Sequence, residues 1–94
     1  MQFSKEKLLP NGSIVLLKGG TKKVVIYGRK QLLMVEEPVM YDYIGCFYPE
    51  GYIDPDYTFV FNHDAIEEII FVGFIDEEEE AFIGLLNWIG SRNR

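Results

Sequence analysis

One cysteine and one histidine, Cys46 and His63, are the residues in this chain whose types could support nucleophilic or metal chemistry. A thiolate–imidazole pair can carry covalent catalysis when the two side chains meet. Cys46, however, stands in an apolar run with Ile44 and Phe47, where a free cysteine behaves as a small hydrophobe. His63 falls in Asn62-His63-Asp64, a turn and helix-cap sequence. A small Cys/His enzyme is therefore the least favoured reading, and no catalytic residue is assigned. A zinc site needs several His or Cys ligands at set spacing, which one of each cannot supply. Asp54 and Asp56 flank Pro55 without the glycine and closing glutamate of a calcium loop, so neither a metal nor a cofactor is implied.

Lys18-Gly19-Gly20-Thr21-Lys22 has the composition of a phosphate loop but not its spacing, and no helix follows. It reads as a hairpin turn. Lys18, Lys22, Lys23, Arg29 and Lys30 would serve a nucleic-acid-binding small barrel, which is the alternative reading of the chain. Two features oppose it. The net charge is −6, and five tyrosines, Tyr41, Tyr43, Tyr48, Tyr52 and Tyr57, lie in an acidic stretch away from any basic groove. Nucleic acid is not an expected partner.

Those tyrosines are the most informative cluster. A tyrosine joins an apolar ring to a polar tip and is enriched where one end is packed and the other wet. Tyr48, Tyr52 and Tyr57, around a loop punctuated by Pro49, Gly51 and Pro55, are candidate partner-binding residues. Tyr41 and Tyr43 are expected to pack under a C-terminal helix.

The elements that must position these residues follow from turn chemistry and periodicity. Ser13 to Lys18 reads as a strand, Gly19-Gly20-Thr21 as a tight turn, and Lys22 to Arg29 as the return strand. Gly28, late in that strand, suits a bulge or a bend. Val39 to Cys46 and Tyr57 to Phe61 continue as strands three and four. Asp64 with Glu67 has capping-box spacing for a single helical turn. Glu68 to Phe74 is apolar on both faces and is expected to be central or covered. The break at Glu36-Glu37-Pro38 fits either an open sheet edge or its protection. Asp76 with Glu79 is a second capping box, and Phe82, Leu85, Leu86 and Ile89 make an apolar helical stripe closed by Gly90. That stripe is expected to cover the fifth strand, leaving Glu78 and Asn87 in solvent. Trp88 lies toward its edge, expected to pack on the sheet yet also a candidate partner-binding anchor.

The expected fold is α+β and mainly β: a small bent five-stranded antiparallel sheet or SH3-like barrel with a C-terminal α-helix. Residues 1–94 form a single domain, with an N-terminal lead-in at 1–8, a sheet core at 13–74 and the helix at 76–90. Composition agrees, with 48% apolar, 26% charged and 15% aromatic residues, which excludes a disordered or low-complexity chain. One cysteine cannot form an intrachain disulfide. No apolar run exceeds four residues, as at Ile14 to Leu17 and Ile69 to Val72, so no membrane insertion is expected. The N-terminus does not resemble a secretory signal, and a cytoplasmic location is expected. Charge is divided along the chain: residues 1–31 carry +6 and residues 32–91 carry −14. The two halves are expected to attract each other within the fold, or else to present a dipolar surface that steers a charged protein.

Several segments taken together resemble a known family. They are Leu9-Pro10-Asn11-Gly12-Ser13 through Lys22-Lys23, Ile26-Tyr27-Gly28-Arg29, Tyr41-Asp42-Tyr43-Ile44-Gly45-Cys46, Tyr48-Pro49-Glu50-Gly51 and Phe61-Asn62-His63-Asp64-Ala65-Ile66. The chain resembles the domain-of-unknown-function 4176 family, small Firmicute proteins, over about residues 8 to 88. The resemblance brings no assigned enzymatic activity and no established site residues. It implies proximity to type VII secretion components and their toxin cargo, and hence a non-enzymatic, protein-binding accessory or chaperone-like role. The partner expected is another protein, and the residues leave oligomeric state open.

Overall fold

A computed structural model describes residues 3–33 and 36–92, leaving out the side chains of residues 89–92. Strands β1 (Ile14–Leu17), β2 (Val24–Leu33), β3 (Val39–Phe47), β4 (Thr58–Phe61) and β5 (Ile66–Phe71) form one antiparallel sheet in the order β4-β3-β2-β1-β5. Helix α1 (Glu77–Arg92) follows. The first four strands form a meander, and β5 returns to the free side of β1. No pairing joins β4 to β5 among the described residues, so the sheet stays open and no SH3-like barrel closes.

Turn chemistry explains most boundaries. Gly19 takes φ +80° and the Gly20 amide donates to Leu17 O at 2.9 Å, closing the first hairpin. The turn is wider than expected, since Lys22 and Lys23 precede β2. Glu36 to Pro38 join two paired strands, and the sheet edges lie instead at β4 and β5. The first capping box does not form. His63–Ala65 is a 3-10 turn and Glu67 already belongs to β5. β3 holds this turn instead: the His63 amide donates to Asp42 Oδ2 at 2.8 Å, and the Asp42 amide to Asn62 Oδ1 at 3.1 Å.

The sheet packs through one face. Val15, Val24, Ile26, Tyr43 and Phe61 are buried on β1 to β4, and Leu8 and Leu9, to which the lead-in extends, close over them with Leu86 of α1. Gly28 marks the predicted bulge. The β2–β3 register slips by one residue between Ile26, opposite Gly45, and Gly28, opposite Ile44. Strict alternation would send Arg29 to the outer face. The extra residue places it opposite Tyr43, inside. A Cβ on Gly28 would stand 2.8 Å from Ile44 Cγ2, so the slip demands glycine.

Helix α1 begins as predicted, with the Glu79 amide donating to Asp76 Oδ1 at 3.0 Å. Its buried face differs. Leu86 is 6% exposed and Ile83 half-buried, whereas Phe82 and Leu85 stay 44% and 49% exposed. Glu78 and Asn87 are exposed as expected, and Asn87 also donates from Nδ2 to Glu6 O at 2.8 Å, while Lys7 pairs with Glu80 at 3.7 Å. These polar ties set the helix on the lead-in rather than on β5. β5 is consequently an edge strand with Ile70 and Phe71 exposed, not a covered one. The helix passes through Gly90 to Arg92, so Gly90 is not its cap, and the side chain of Ile89 lies outside the described residues. Leu86→Ala is expected to cost about 2–5 kcal/mol in urea unfolding, and Leu85→Ala under about 1 kcal/mol. Equal losses would mean that the helix docks through the other face.

Candidate functional site

Two buried polar side chains organise the interior. The Arg29 guanidinium makes a bidentate pair with Glu79, Nη1 to Oε2 at 2.8 Å and Nη2 to Oε1 at 2.9 Å. Nη1 also donates to Leu9 O at 2.8 Å, and the guanidinium carbon lies 5.4 Å from the centre of the Phe82 ring. Arg29 Nε is buried without a hydrogen-bond partner. The hydroxyl of Tyr43 accepts from the Leu9 amide at 3.0 Å and lies 2.7 Å from His63 Nδ1. With the amide donating to it, its own proton is free to point at Nδ1. Burial pushes the Tyr43 phenol well above its ordinary range, against a smaller opposing effect of the Leu9 hydrogen bond.

This arrangement separates Cys46 from His63. Tyr43 and Cys46 are an odd number of residues apart on a regular stretch of β3 and point to opposite faces. His63 Nδ1 is engaged with Tyr43, and burial raises the Cys46 thiol pKa. No group of three or more potential metal ligands is present among the described residues. Four ion pairs, Lys7–Glu80, Lys22–Glu50, Arg29–Glu79 and Lys30–Asp42, each join the basic half to the acidic half, as the charge division predicts.

The predicted partner-binding residues are all exposed. Tyr48, Tyr52 and Tyr57 border the β3–β4 connection, and Tyr52 meets Tyr27 of β2 edge-on with centroids 6.0 Å apart. No ring contact among the described residues joins Tyr48, Tyr52 and Tyr57 to one another. The Lys22–Glu50 pair ties this loop to the first hairpin and lowers the Glu50 carboxyl pKa. Tyr43 is buried against Leu9, Phe61 and His63, and Tyr41 is half-buried. Trp88 is 57% exposed on α1, so it does not pack fully on the sheet.

A second surface escaped sequence reasoning. An open groove of about 470 Å³ lies between the β5–α1 connection and the start of the helix. Phe74 and Phe82 give it apolar walls, Asp76 and Glu78 an acidic rim, and the Arg29–Glu79 pair also lines it. Phe74 is 80% exposed. Its neighbour Gly73 donates to Ser13 Oγ at 3.0 Å and packs so closely on Asn11 that a side chain there would collide with the backbone. The sequence reading carried the fifth strand to Phe74, whereas β5 ends at Phe71 and leaves Phe74 in the connection to α1.

Comparison with known proteins decides the family. The family model described as Domain of unknown function (DUF4176) matches residues 8–82. The chain belongs to this family. Its match begins at the buried Leu8 and includes both Arg29 and Glu79. No curated protein and no solved structure matches the chain.

Two measurements test this interior. Glu79→Ala leaves a buried guanidinium without its carboxylate and is expected to cost about 3–5 kcal/mol in urea unfolding; a loss below about 1 kcal/mol would show the pair to be incidental. Because the folded state holds the neutral Tyr43 phenol, the unfolded chain releases this proton at lower pH. Stability should therefore fall as pH rises above about 10. Urea midpoints from pH 9 to pH 11 should drop less in Tyr43→Phe than in the parent protein.

Proposed function

We propose that this protein is a non-enzymatic, protein-binding accessory of adaptor or chaperone-like type, acting in the cytoplasm. Toxin cargo of a type VII secretion system is the partner class to test first, on the family resemblance. One observation carries the binding reading: Phe71, Phe74, Ile75, Phe82 and Leu85 are all exposed within a short stretch of the chain. Apolar side chains concentrated at a surface mark contact sites more often than isolated ones do. Tyr48, Tyr52, Tyr57 and Trp88 add amphipathic rings elsewhere on the surface. The deciding experiment is co-purification of the tagged full chain from a host that carries its neighbouring genes. A protein recovered at near-stoichiometric level is expected, and recovery of none would overturn the proposal.

A further inference from the structure

We infer that the groove between the β5–α1 connection and the start of α1 receives an extended basic segment of a partner protein, a Lys or Arg flanked by apolar residues. This rests on the protein-binding reading and names its surface. The backbone next to one wall and the ring of the other are held from behind. Gly73 anchors Phe74 through Ser13 Oγ, while Phe82 backs onto a guanidinium fixed by Leu9 O and Glu79. A groove already in shape needs little ordering when it is filled. Its volume, about 470 Å³, suits one or two side chains of a peptide.

Charge selects the occupant. Glu79 neutralises Arg29, while Asp76 and Glu78 have no ion-pair partner among the described residues. With Arg29 matched by Glu79, Asp76 and Glu78 leave the rim net negative. Glu78 stands one helical turn before Phe82, on the same side of α1. A Lys or Arg stem can lie along the Phe74 and Phe82 rings while its charged head meets Glu78 and Asp76. Arg29 also lines the groove, but its charge is already met by Glu79, so it does not repel a cationic occupant. An acidic segment would meet like charge at this rim.

Selection of a random peptide library displayed on phage against the full chain tests the inference. The enriched peptides are then titrated calorimetrically against the parent protein, Phe74→Ala and Glu78→Lys. Both substitutions fall on exposed side chains, and unchanged urea midpoints would verify the fold. Enrichment of Lys or Arg beside aliphatic or aromatic residues is expected, with binding weakened about tenfold or more by each substitution and by added salt. No enrichment, enrichment of acidic peptides, or affinities unchanged in both variants would overturn it. So would a concentration-dependent dimer abolished by Phe74→Ala, which would give the groove to a second copy. A natural partner that co-purifies equally with the parent and both variants would overturn the groove assignment while sustaining the protein-binding reading.

Discussion

The fold turns on the peptide groups of one residue, Leu9. Its side chain is fully buried, and its amide and carbonyl both need partners away from water. β3 supplies one and β2 the other: the Tyr43 hydroxyl accepts from the amide, and the Arg29 guanidinium donates to the carbonyl. The lead-in is thereby fastened to the sheet by directed bonds as well as by Leu8 and Leu9 packing. An unpaired buried backbone group costs about 1–3 kcal/mol, a large share of the stability of so small a domain. The lead-in is part of the core.

Burying a guanidinium to satisfy a carbonyl creates a second requirement, because an isolated buried charge is far more costly than the hydrogen bond it makes. Glu79 meets it. The helix that carries Glu79 must therefore sit where its first turn reaches Arg29, and this orientation turns Leu86 and Ile83 inward while Phe82 and Leu85 remain half outside. A charge requirement set in β2 thus decides which face of α1 is buried. It also leaves Ile70 and Phe71 of β5 exposed, while Ile66 and Ile69 pack against the core.

The surface features trace to the same cause. The helix start and the β5–α1 connection are drawn toward Arg29 and Ser13, which leaves Phe74 and Phe82 flanking an acidic groove instead of entering the core. The tyrosine loop has a separate origin. It is the long connection between β3 and β4, tied to the first hairpin by Lys22–Glu50 and the Tyr27–Tyr52 contact. The molecule consequently presents amphipathic rings from two structural sources, one anchored by a buried ion pair and the other by exposed contacts.

Strand identity, the first hairpin, the bulge at Gly28, the helix start at Asp76 and the attraction between basic and acidic halves were legible in the sequence. Each depends on residues close in the chain or on net charge. The family was legible as well, through the ordered set of short segments. Other features arise from contacts between residues far apart. Gly28 announced a bulge, but only the pairing of β2 with β3 turned Arg29 inward, and only folding brought it to Glu79. Helical periodicity placed Phe82, Leu85 and Leu86 near one face, and the stripe is wide enough that a rotation by part of a turn changes which of them is buried. The sequence by itself determined the elements and their signs of charge. Tertiary structure decided the helix's rotation, the exposure of β5 and the existence of the groove, because one buried cation had to find its carboxylate.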